Sequence, residues 1–191
     1  FRAMFSRNEI YDYDNIVVLL THLHADHIGS LGSFLSFCKN GLDKKVLLAA
    51  EEDTIVNILD QSGVHTDKYN FTTDFKECEA DGLSIYVKRE SHATDMLCCG
   101  FIFECNGEKI YYSGDTSNVP SDILNAFLSG EIKTMYQECT FLDTDSTSHF
   151  SLKKLCEIIP YEERQRVYCM HLGDDIEDDI VKAGFRVPKI V

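Results

Sequence analysis

The chain has 191 residues, 44% hydrophobic and 26% charged. That length and make-up suit one domain with a buried core and exclude wholesale disorder. Its 18 basic and 32 acidic residues give a net charge of −14, which disfavours long nucleic acids and anionic membranes as partners. No apolar run approaches the roughly 20 residues that span a bilayer. Residues 1–4 show no long apolar leader segment, and the eight cysteines show no CxxC spacing. A cytoplasmic chain with reduced, mostly buried thiols is therefore expected.

The chain mixes strands and helices throughout. Residues 15–20 are short, apolar and β-branched, and read as a buried strand. Residues 27–38 read as a helix, with Ile28, Leu31, Phe34, Leu35 and Cys38 at helical spacing. Residues 46–49 suit a short strand. Residues 51–61 suit a helix with Ile55, Ile58 and Leu59 on one face, stopped by Gly63. Residues 69–75 and 83–88 alternate as half-exposed strands. Asn106-Gly107 favours a tight type I′ turn between strands 99–105 and 108–112. Pro120 suits a place at or near the first turn of a helix over 120–129. A strand over 133–137, a helix over 151–159 and a strand over 166–170 follow. A helix over 174–183, capped by Gly184, and a last strand over 185–190 complete the chain. With no repeat, linker or low-complexity stretch, residues 1–191 read as a single α/β domain.

Three of the seven histidines crowd into Thr21-His-Leu-His-Ala-Asp-His27. His22 and His24 are two apart, so at a strand end they point the same way. Asp26 and His27 follow in the turn and the first helical residue. Neutral imidazoles with a carboxylate suit a borderline first-row divalent metal.

His22-Leu-His-Ala-Asp-His27 resembles the HxHxDH motif of the metallo-β-lactamase superfamily. The later motifs follow in order: His92 in Glu90-Ser-His-Ala, Asp115 in Ser113-Gly-Asp-Thr116 and His171 in Cys169-Met-His-Leu172. The resemblance implies two divalent metal ions per chain, zinc first, with manganese or iron also accommodated. One ion would take His22, His24 and His92. The other would take Asp26, His27 and His171, with Asp115 between them. Two such ions can activate a shared water near neutral pH. Gly114 would let the chain turn tightly ahead of Asp115.

His149, in Ser148-His-Phe-Ser, resembles the accessory histidine of the ribonuclease Z-like branch, and Glu138 in Glu138-Cys-Thr resembles a glutamate that orients it. The branch implies phosphodiester hydrolysis. His149 would stabilise or protonate the phosphate, and Asp26 would accept a proton from the nucleophile. Only 23 residues separate His92 from Asp115, which leaves no room for a tRNA-clamping arm. A small phosphodiester or ester is the expected substrate, with thioester or lactone hydrolysis of the glyoxalase II type as the alternative.

Members of the superfamily carry about 50 residues before HxHxDH, whereas 21 precede His22 here. The expected fold is an αββα sandwich lacking its N-terminal strands, and the exposed sheet edge leaves a homodimer open. His65 reads as surface, Cys98-Cys99 as structural, and Lys153-Lys154 as a solvated helix face. Asp174-Asp175 and Asp178-Asp179 read as capping the last helix.

Overall fold

The computed structural model describes residues 9–143, 148–173 and 175–189. It contains two compact units, one formed by the described residues up to Glu79 and the other by those from Ala80 to Lys189.

The first unit holds a parallel sheet in the order β1 (Val17–Leu19), β2 (Val46–Ala49), β3 (Tyr69–Thr72). Three helices accompany it: α1 (Ala25–Ile28), α2 (Leu31–Leu42) and α3 (Thr54–Gln61). Leu31, Phe34, Leu35 and Cys38 recur on one face of α2 and are buried. They form one core with Val46 and Leu48 of β2, Ile55 and Leu59 of α3, and Tyr69 of β3.

Three expectations shift in this unit. The expected buried strand over 15–20 shrinks to Val17–Leu19 and stands at the sheet edge, so Val17 is 41% exposed and only Leu20 is buried. The single helix over 27–38 divides at Gly29-Ser30. Gly29 N closes α1 on Ala25 O, while Ser30 O starts α2 by accepting from Phe34 N. The strand over 69–75 stops at Thr72, because Asp74 accepts from Lys76 N and caps the 3-10 turn Phe75–Cys78. Gly63 ends α3 at a positive φ of 81°, as its position suggested.

The second unit holds a mixed sheet in the order β4 (Leu83–Arg89), β5 (Cys99–Cys105), β6 (Glu108–Tyr112), β7 (Ile132–Glu138), β8 (Val167–Met170). The β4/β5 and β5/β6 pairs are antiparallel, and β6/β7 and β7/β8 are parallel. Asn106 and Gly107 both adopt positive φ, 53° and 81°, as a type I′ hairpin requires. Parallel neighbours need a crossover. Helix α4 (Ser121–Leu128) supplies it between β6 and β7, and α5 (Leu152–Ile158) between β7 and β8. Helix α6 (Glu177–Lys182) follows. Tyr111, Ile123, Phe127, Met135, Leu155, Val167, Ile180 and Phe185 join in a second core.

Pro120 caps α4 with extended ψ, next to its first turn as expected. The expected strand over 185–190 reduces to one bridge, Arg186 to Tyr168; Pro188 lacks the N–H that a longer ladder needs. Ile190 and Asp174 lie outside the described residues. None of the eight cysteines forms a disulfide and six are buried, including Cys98 and Cys99. Among the described residues no helix is long and apolar enough to cross a membrane.

Gly100 in β5 is a close-approach site. A Cβ there would stand 2.6 Å from Tyr112 O and 2.8 Å from Ser113 O, both backbone atoms that cannot swing away. Gly100→Ala is expected to cost about 1–3 kcal/mol by overpacking, read as a lower denaturation midpoint. An unchanged midpoint would contradict this packing.

Candidate functional site

In the first unit, the histidine motif follows the C-terminal end of β1. His24 keeps an extended backbone (φ −62°, ψ 150°) and caps α1, its carbonyl accepting from His27 N and Ile28 N. That tight turn brings His27 back beside His22, with Asp26 next to His27. His22 is buried, with Nε2 3.0 Å from His24 Nδ1. The His22 and His27 ring centroids are 4.0 Å apart. The Thr21 hydroxyl lies 3.1 Å from His22 Nδ1 and 3.5 Å from His27 Nδ1. Asp26 Oδ2 lies 3.6 Å from His27 Nε2. All four flagged residues therefore gather at one strand end.

In the second unit, the flagged residues come from four separate segments. His92 follows β4, Asp115 follows β6, Glu138 ends β7 and His171 follows β8. His149 lies three residues before α5; Ser151 is the cap, accepting from Lys154 N. His92, Asp115 and Glu138 have side chains at most 3% exposed, and those of His149 and His171 are 36% and 34% exposed.

The Asp115 turn is tightly held. Gly114 takes φ +59°, the left-handed conformation that its position suggested. Ser113 N donates to Tyr136 O, and Ser113 Oγ accepts from Glu138 N at 3.0 Å. His171 is itself left-handed at φ 52°, uncommon for a residue with a Cβ. Its ring stands beside Asp115, with Nδ1 3.5 Å from Asp115 Oδ1.

The donor set fits a divalent cation. Asp115 oxygens lie 3.8 and 3.5 Å from nitrogens of His92 and His171. Those gaps exceed a hydrogen bond. They approach the spacing of two donors sharing one tetrahedral ion, about 3.3 Å for bonds of about 2.0–2.1 Å. Donor atoms of Asp115, Glu138, His149 and His171 all lie within 4.8 Å of one another. His92 Nδ1 donates to Ser148 O at 2.9 Å, which turns Nε2 toward Asp115.

Glu138 lies against the His149 ring. Its Oε2 accepts from His149 Nδ1 at 2.7 Å, and its Oε1 accepts from Thr116 N at 2.5 Å. The other histidine is peripheral: His65 is exposed and pairs with Asp60. Lys153 pairs with Asp143 on the surface.

Sequence reading did not single out Tyr111 or Glu90. Tyr111 is wholly buried and donates to Glu90 Oε1 at 2.6 Å. Only their apolar and strand-end surroundings could have signalled it. Burial pushes Glu90 up to about 7, against the lowering effect of the Tyr111 and Thr116 hydroxyls, and it pushes the Tyr111 phenol up as well. The folded form therefore holds the Glu90 proton at pH values where the unfolded chain has released it. That contribution is full below the unfolded pKa of about 4.5 and lost as pH rises through about 7. Chelator-treated protein should lose stability across this window, and Glu90→Gln should flatten the loss. Equal slopes of unfolding free energy against pH for the two proteins would contradict the shift.

A family profile described as "Anti-Pycsar protein Apyc1" matches residues 2–187. The Anti-Pycsar protein Apyc1 of Bacillus phage BSP38 is 27% identical over 192 residues, covering 87% of this chain and 72% of that protein. The metallo-β-lactamase fold protein YhfI from Bacillus subtilis aligns over 97% of this chain and 77% of its own, with a TM-score of 0.70 and 17% identity. The short form of human tRNase Z aligns over 82% of this chain and 72% of its own, with a TM-score of 0.57 and 18% identity. The fold is that of the metallo-β-lactamases, as the motifs implied, and ribonuclease Z is one neighbour within it. Within that fold, the chain belongs to the anti-Pycsar protein Apyc1 family.

Proposed function

We propose that the chain is a metal-dependent hydrolase that opens the phosphodiester of a cyclic nucleotide. The observation that carries this reading is the buried Glu138 holding His149 Nδ1 at 2.7 Å, with Asp115 4.0 Å from the same nitrogen. A metal site that needed only to activate water would not require an additional, oriented imidazole beyond its ligands. A phosphate gathering negative charge in its transition state benefits from one. The family is named for opposing Pycsar, a role that removal of a cyclic-nucleotide messenger would serve.

In this reading His22, His24 and His92 would hold one ion and Asp26, His27 and His171 the other, with Asp115 available to both. Two divalent ions, zinc by donor type, would supply Lewis-acid charge and an activated water. The protein's own residues do the rest. Glu138 takes the His149 Nδ1 proton in a hydrogen bond and fixes the ring, so Nε2 points away from the carboxylate. Nε2 donates to a phosphoryl oxygen and passes a proton to the departing oxygen. Asp26 is 64% exposed at its side chain and can accept a proton from the attacking water.

His149→Ala is expected to lower cyclic-nucleotide turnover by about 10²–10⁴-fold, the usual worth of a positioned acid, with bound metal unchanged. Rates would be compared on zinc- or manganese-loaded protein with a chelator control. Near-full activity of His149→Ala, or hydrolysis of thioesters and lactones in place of phosphodiesters, would overturn the reading in favour of a glyoxalase II-type enzyme.

A further inference from the structure

We infer that Glu90 is a positioning residue that sets the spacing of His92 and Asp115 through its bond to Tyr111. The inference rests on the proposed metal-binding role of those two residues and gives a role to Glu90, which stands beside His92 in its motif without being one of the proposed ligands.

After β4 ends at Arg89, residues 90–93 run without regular structure and deliver His92. Such a segment has no ladder to fix it, so its position depends on discrete bonds. Glu90 N donates to Cys98 O at 2.9 Å. Ser117 N and Ser117 Oγ both donate to Ser91 O, at 2.6 and 2.7 Å. The Glu90 carboxylate adds the link to β6, accepting from Tyr111 Oη at 2.6 Å.

Tyr111 makes that link rigid. It is 0% exposed within the core of the second unit and stands four residues before Asp115. A buried phenol without an acceptor is costly, so the bond is held firmly. The segment carrying His92 and the strand leading to Asp115 are thereby joined just ahead of both side chains. His92 Nε2 and Asp115 Oδ2 then meet at 3.8 Å, both on buried side chains. Glu90 acts on these two through the backbone. Groups that orient metal ligands are worth about 10–100-fold in affinity, and one acting at this remove should fall near tenfold.

The test uses the full chain, stripped with a chelator. Zinc affinity is measured by competition with a chromophoric chelator, and the visible spectrum is recorded after cobalt(II) loading. Glu90→Ala should weaken zinc binding about tenfold and alter the cobalt bands. Glu90→Gln keeps a carbonyl oxygen for Tyr111 and should restore both. Tyr111→Phe removes the same bond from the other side and should match Glu90→Ala; it decides the matter if Glu90→Ala fails to fold. Wild-type affinity and spectrum in Glu90→Ala and Tyr111→Phe would overturn the inference while leaving the metal reading intact. Glu90→Gln as weak as Glu90→Ala would also overturn it, because charge and not the Tyr111 bond would then be responsible. A wild-type chain that binds neither zinc nor cobalt would instead remove the metal reading itself.

Discussion

A buried carboxylate organises the second unit. Glu138 is 1% exposed, and burying an ionised group is costly unless donors surround it. Thr116 N and His149 Nδ1 meet its oxygens, Phe150 N approaches at 3.4 Å, and its own N–H is taken by Ser113 Oγ. These partners come from the two segments that carry Asp115 and His149. Satisfying one acid therefore places the Asp115 turn and the His149 segment against the same strand end. The first unit solves a similar problem more locally, since His22, His24, Asp26 and His27 all lie on one turn.

The proposed metal-ligand motif at residues 22–27 stood out in the sequence because its chemistry is dense. Three imidazoles and a carboxylate within six residues have few other uses, and strand alternation followed by one helical turn suffices to gather them. Gly114 was legible for a related reason, since only a residue tolerant of positive φ suits a turn so close to a strand end. Asn106-Gly107 announced its hairpin by the same logic. The supporting contacts were not legible. Tyr111 and Glu90 are 21 residues apart and meet only because β4, β5 and β6 pair in register. Ser148 contributes a backbone carbonyl to His92, and a carbonyl carries no sequence signal. Element ends moved where pairing or capping overrode local preference, as at Asp74, Ser30 and Arg186.

An acidic chain with a proposed anionic substrate presents an apparent contradiction. With a net charge of −14, the surface should repel a polyanion over the length of a Debye screen. The proposed centre reverses the sign locally, because two divalent ions outweigh Asp26 and Asp115. A substrate carrying a single phosphodiester would meet mainly that local field, whereas a long RNA would meet the whole surface. The charge balance thus favours a cyclic nucleotide over a tRNA, although tRNase Z shares the fold.

The most direct measurement is a zinc titration of the chelator-stripped full chain, following hydrolysis of a 3′,5′-cyclic nucleotide. The account predicts no hydrolysis without metal and a rate that reaches its plateau at two equivalents. It also predicts loss of both hydrolysis and bound metal in Asp115→Ala. Metal-independent hydrolysis, or none in a fully loaded and folded chain, would contradict it.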